Sequence, residues 1–146
     1  MRISKKSEYA LRALVAIVRS NRSAQIHELS QREKIPVKFL EQILLSLKNA
    51  GYLTSKRGVG GGYALRVEPS RITVGEIIRL FDGPLAPVPC AAVQPGETCT
   101  CPDPGACVLR IFMTGVREEL SALFDHRTIE DMLRLAPDGS SLAFEI

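Results

Sequence analysis

The chain has 146 residues, 45% hydrophobic and 24% charged, which fits one compact domain with an appended helix and excludes both a multidomain enzyme and wholesale disorder. No run of eighteen uncharged apolar residues occurs, and the opening Met1-Arg2-Ile3-Ser4-Lys5-Lys6 lacks the features of a signal peptide, so a cytoplasmic protein without a membrane partner is expected. The net charge of +3 hides an asymmetry: residues 1–66 hold thirteen Lys and Arg against four Asp and Glu, whereas the remainder carries a balance of −6. A basic half beside an acidic half points to a polyanion, nucleic acid first, with an unevenly charged solvated face as the plain alternative.

In chain order, Ile3 to Asn21 places Tyr9, Ala10, Leu14, Ile17 and Val18 on one side of a helix, with Ser4 or Ser7 as N-cap. Residues 26–34 give a short amphipathic second helix, closed by Ile35-Pro36, and Pro36 suits the first turn of the next. The third helix, Val37 to Ala50, repeats Val37, Leu40, Ile43, Leu44 and Leu47, and Gly51 stops it. The period then changes. Tyr52–Arg57 and Tyr63–Val67 read as strands around a glycine-rich tip at 58–62, a hairpin wing. A turn at Glu68-Pro69-Ser70 leads to a helix carrying Val74, Ile77, Ile78 and Phe81 on one face, ended by Asp82-Gly83-Pro84.

Residues 82–107 contain six prolines and all four cysteines, Cys90, Cys99, Cys101 and Cys107, and read as a loop. From Val108 to Phe124 a long helix resumes with Val108, Ile111, Phe112, Gly115, Val116, Leu120, Leu123 and Phe124, a stripe too broad for a lone helix to bury, so packing on a twin in a homodimer is expected, with the first helix as a further support. A short helix at Thr128–Leu135 and a mobile tail follow. The expected fold is mainly α with a small β-hairpin: a winged helix-turn-helix domain at 1–81, a cysteine-bearing loop at 82–107, a dimerisation helix and C-terminal helix at 108–135, and a tail at 136–146.

In a helix-turn-helix the second helix enters the major groove. Its exposed positions here are Lys38, Phe39, Glu41 and Gln42: Gln can pair with adenine, Glu can accept from cytosine, and Lys38 can hold a phosphate. Lys56 and Arg57 precede the glycine tip, where an arginine suits the narrow minor groove and glycine lets backbone approach DNA; a plain hairpin tip is the alternative reading of the glycines. Tyr63 stands where a dinucleotide fingerprint needs its last glycine, and no phosphate loop follows. His27 and His126 read as surface or satisfied residues. No catalytic arrangement is evident, and no enzyme activity is expected.

Four thiols in one segment of a cytosolic chain favour a metal site or a redox switch over structural disulfides. Thiolates select iron-sulfur clusters, zinc or copper(I), and the uneven intervals between these cysteines fit paired zinc knuckles poorly. Softness and spacing leave open a cluster, a clusterless thiol or disulfide switch, zinc, or inert cysteines.

The runs Phe39-Leu40-Glu41-Gln42-Ile43-Leu44, Leu47-Lys48-Asn49-Ala50-Gly51-Tyr52-Leu53 and Arg57-Gly58-Val59-Gly60-Gly61-Gly62-Tyr63, with Tyr9-Ala10 and Ile72-Thr73-Val74-Gly75-Glu76-Ile77, resemble the Rrf family of winged helix-turn-helix transcription regulators, of the IscR, NsrR and RirA type. The likeness extends to about Leu135. It implies a homodimer joined by the long helix, binding a near-palindromic operator in double-stranded DNA, with Glu41 and Gln42 reading bases and Arg57 in the minor groove. It also implies an iron-sulfur cluster, two-iron two-sulfur as the first expectation and four-iron four-sulfur as the alternative. Cluster-binding members use three loop cysteines, matched by Cys90, Cys101 and Cys107. Cys99 is additional and competes with Cys101 for a place. Where one member has a histidine ligand this chain has Arg110; another takes a carboxylate from the partner's first helix, a position matched by Glu8. Glu8 reads equally as a helix glutamate paired with Arg12. The expected function is therefore a regulator whose operator affinity follows a cluster sensing iron, cluster status, nitric oxide or redox state. A clusterless thiol sensor of the same fold is the alternative, and an electron-transfer protein is disfavoured by the basic half.

Overall fold

The computed structural model describes residues 2–92, 99 and 101–135; the expected tail lies outside them, as does the middle of the proline-rich loop. Helix α1 spans Lys5–Arg19, and Ser4 is its N-cap, accepting from the Ser7 amide at 3.2 Å. Helix α2 covers Ile26–Glu33 and α3 covers Val37–Asn49. Between them Lys34 turns the chain in the left-handed region at φ 53°, and the Ser30 hydroxyl donates to the Ile35 carbonyl at 2.6 Å. Pro36 sits one residue outside α3 rather than in its first turn. The reason is visible in the hydrogen bonds: its carbonyl accepts the first helical bonds, from Phe39 and Leu40 at 3.0 and 2.9 Å.

The wing is an antiparallel pair, β1 at Leu53–Lys56 and β2 at Gly62–Leu65, with Leu53 opposite Leu65 and Lys56 opposite Gly62. Both strands are shorter than the sequence pattern implied. Tyr52 is lost to β1 because its amide bonds to the Leu47 carbonyl at 3.0 Å, closing α3. On the far edge, Tyr63 exchanges two hydrogen bonds with Ala24, at 2.8 and 2.9 Å, so the segment before α2 extends the sheet by one bridge. Gly62 is required there: its φ is +142°, and a Cβ would lie 2.5 Å from the Ala24 carbonyl oxygen. Gly62 thus serves this chain's own backbone packing, whatever it allows toward DNA.

Helix α4, Val74–Asp82, starts with a capping box in which Thr73 and Glu76 satisfy each other's amides. Helix α5 runs Val108–Asp125 and α6 runs Ile129–Arg134, again opened by a capping box, from Thr128 and Asp131. The two capped starts lie side by side: Val74 donates to the Arg127 carbonyl at 2.8 Å and Ile129 to the Ile72 carbonyl at 3.0 Å. This junction puts Ile129, fully buried, into the same core as Leu14, Leu40, Ile43, Leu44, Leu47, Leu53, Ile72 and Ile77. Helix α5 leans on α4 through an ion pair between Arg79 and Asp125, and Gly75 leaves the room that the Asp125 side chain needs.

Candidate nucleic-acid interface and cysteine segment

The amphipathic pattern of α3 turns Leu40, Ile43, Leu44 and Leu47 inward and leaves Lys38, Glu41 and Gln42 exposed, as the sequence predicts. Phe39 differs. It is half-buried, its ring edge-on to Tyr9 of α1 with centroids 5.7 Å apart and planes at 88°. Tyr9 in turn lies beneath two cations, Lys5 at 5.7 Å and Arg12 at 5.6 Å from its ring centre. At the other end of α3, the Lys48 ammonium donates to the Ser55 hydroxyl at 2.7 Å, joining the helix to the wing. Lys56 and Arg57 are exposed at the wing's tip.

Arg12, named from the sequence only as a partner for Glu8, has a wider set of contacts in the fold. Its guanidinium donates to the Glu33 carbonyl, faces the Glu33 carboxylate at 3.4 Å, and meets Glu8 at 3.6 Å. It thereby ties α1 to the last turn of α2, where a cation also complements exposed carbonyls. Glu8 is held from both sides, with Lys5 at 2.7 Å. The Lys5 hydrogen bond chiefly, with the charges of Lys5 and Arg12, outweighs desolvation and keeps its carboxyl below the usual range. The pairing with Arg12 that the sequence allowed is therefore present. The only local signal for the wider network was the i, i+4 spacing of Lys5 with Tyr9 and of Glu8 with Arg12.

The cysteine segment is anchored at both ends. Cys90 sits in a one-turn 3-10 segment, Pro89–Ala91, whose Ala91 carbonyl accepts from Arg117 of α5 at 2.9 Å. Cys107 is the N-cap residue of α5, preceded by a turn in which Asp103 accepts from the Gly105 and Ala106 amides at 3.1 and 3.2 Å. Cys90, Cys99 and Cys107 are half-exposed, and Cys101 is exposed. Hydrogen bonds from the Cys101 backbone and thiol lower the Cys99 thiol, with Arg110 adding to the effect, whereas Cys101 is raised by bonding to Cys99 and by the neighbouring sulfurs of Cys99, Cys107 and Cys90. The Cys101 thiol thus feels the other three sulfurs. Soft donors in this number fit an iron-sulfur centre chemically. Among the described residues, however, no three His, Cys, Asp or Glu side chains gather closely enough to hold a metal ion. His27 and His126 are exposed and stand apart from the cysteines in sequence.

A family profile described as Rrf2, iron-dependent transcriptional regulator, matches residues 3–135. The chain belongs to the Rrf2 family. A Rhodobacter capsulatus protein named as an rrf2-like HTH-type transcriptional regulator is 38% identical, over 96% of this chain and 97% of its own. CymR of Bacillus subtilis is 31% identical over 99% of this chain and 97% of its own. Its solved structure, described as the global cysteine regulator, superposes with a TM-score of 0.77 at 29% identity, covering 94% of this chain and 99% of that one. The structure of IscR from T. potens matches with a TM-score of 0.73 at 25% identity, over 96% of this chain and 91% of that one. As an Rrf2-family protein this chain is a DNA-binding transcription regulator with a winged helix-turn-helix, and its family consists of regulators rather than enzymes. Among the described residues no helix is long and apolar enough to cross a membrane.

Proposed function

We propose that this Rrf2-family regulator works in the cytoplasm as a homodimer on a near-palindromic operator, with its affinity set by an iron-sulfur cluster on the cysteine segment, two-iron two-sulfur in the first instance. The observation that carries this reading is the clustering of all four thiols from Cys90 to Cys107, between α4 and the start of α5. Cys90, Cys101 and Cys107 would hold the cluster, and the fourth place falls to Cys99 or Glu8. The ion pairs of Glu8 with Lys5 and Arg12 favour Cys99, because a ligating Glu8 must first leave two cations. When bound, such a cluster supplies a link among thiolates that iron loss, oxidants or nitric oxide can break. The protein's own residues couple that segment to the dimer helix: Arg117 holds the turn bearing Cys90, and Cys107 starts α5. Ile111 and Phe112, 64% and 65% exposed, form the face available to a twin. Half-sites about one helical turn apart make affinity sensitive to the separation of the two α3 helices.

One observation favours a second reading, a clusterless thiol switch: Cys99 and Cys101 stand with a single residue between them, and the Cys101 backbone and side chain favour the Cys99 thiolate. Anaerobic purification with absorbance, iron and sulfide determination and Mössbauer spectroscopy separates the two. Stoichiometric iron and sulfide with visible absorbance supports the cluster, and replacing Cys107 should then abolish the colour. A colourless protein whose DNA affinity follows a mapped disulfide supports the switch. For the wing, Arg57→Ala should weaken operator binding by about 1–3 kcal/mol at fixed salt; unchanged affinity removes Arg57 from the interface.

A further inference from the structure

A shallow cavity of about 390 Å³ lies where α1 meets the start of α3, lined by Lys5, Tyr9, Pro36, Lys38, Phe39 and Gln42. Its walls are mainly carbon: two aromatic rings, a proline ring and lysine stems. That is unexpected on a face whose neighbours, Lys38, Glu41 and Gln42, are exposed and polar. The end of the recognition helix at which it opens is the end that meets base edges in a helix-turn-helix. In the major groove the only apolar group a duplex presents is the 5-methyl of thymine.

We infer that this notch, lined by Tyr9, Pro36 and Phe39, receives the 5-methyl edge of a thymine, making Phe39 a specificity-determining residue of the operator contact. The inference rests on the DNA-binding reading of α3 and specifies which base it selects. Three features support it. The edge-to-face contact with Tyr9 fixes the Phe39 ring before DNA arrives, so little side-chain freedom remains to be lost on binding. Lys5 and Lys38 at the rim complement the phosphates that flank any base entering the notch. Gln42, on the same wall, carries the amide that pairs with adenine, so the two side chains together read an apolar and a polar feature of neighbouring base pairs.

The test uses the full-length protein and the duplex with the highest affinity recovered by selection from a randomised library. Each thymine of that duplex is replaced in turn by deoxyuridine, which removes the methyl group and leaves the hydrogen-bonding edge unchanged. One position per half-site should lose about fourfold in affinity, the equivalent of one buried methyl. Phe39→Ala should bind the thymine and uridine duplexes equally. Phe39→Leu, which keeps apolar volume against the core, should lose part of the discrimination, and circular dichroism establishes that both variants fold. Uniform affinity across all uridine duplexes overturns the inference while leaving DNA binding intact. A thymine preference undiminished in both folded Phe39 variants overturns the assignment to this notch. If no duplex is enriched, the DNA-binding reading fails, and the inference with it.

Discussion

Helices α1, α3 and α4 bury Leu14, Leu40, Ile43, Leu44 and Ile77 to within 1% of complete, whereas the 18 residues of α5 include no buried one and leave Val108 78%, Ile111 64% and Phe112 65% exposed. The two regions have similar helical sequence patterns and different fates. In the first, neighbouring elements of the same chain cover each apolar face. In the second, the stripe has α4 beside it only near its C-terminal end. The lesson is that periodicity announces an apolar face without saying what covers it.

The contrast breaks most visibly under substitution. Leu44→Ala, in the first region, should lower unfolding free energy by about 2–5 kcal/mol in urea titration. Phe112→Ala should leave the unfolding of dilute protein nearly unchanged and shift sedimentation toward the monomer; a core-like loss of stability in dilute protein would refute the picture of α5 as an interface. Gly62→Ala should destabilise by about 1–3 kcal/mol, because its backbone conformation and its contact with Ala24 both exclude a side chain. Thr73→Ala should remove the cap of α4 for about 1 kcal/mol by thermal melt. The smallest effect is electrostatic. Burial would raise the Asp82 carboxyl, but hydrogen bonds from the Ser4 hydroxyl and amide, with the nearby Ser7 hydroxyl, outweigh it and hold the group low. The Ser7 oxygen itself has no partner in hydrogen-bond geometry. A depressed carboxylate contributes stability in full above its ordinary value of 3.8, and loses it as pH falls through the lower folded value. Asp82→Asn should therefore be less stable at neutral pH and show a shallower loss of stability in acid.

Much of the first region was legible in the sequence because its signals are local: Ser4 before α1, the 3.6-residue stripe of α3, the glycine-rich tip of the wing. What escaped was tertiary. Phe39 looks exposed on a helical projection, and only Tyr9, thirty positions earlier, withdraws it. Arg12 reads as an ordinary helix cation until the fold brings the end of α2 against it. The number and softness of the cysteines narrowed their chemistry to a metal centre or a thiol switch, and the choice between them depends on distances that spacing leaves undetermined. The strand start at Tyr52 was overdrawn because its amide closes α3, and the pairing ends at Lys56 opposite Gly62, one residue before Arg57.

The double-capped junction at Thr73 and Thr128 has a mechanical corollary. With the Arg79–Asp125 pair it clamps one end of α5 to the DNA-reading body, while Cys107 stands at the other end, about 27 Å away along the axis. The helix is thus a rod fixed at its base, and small tilts there are magnified at the Cys107 end. Conversely, a displacement of Cys107 acts with a long lever arm on the junction that joins α5 to the body carrying α3.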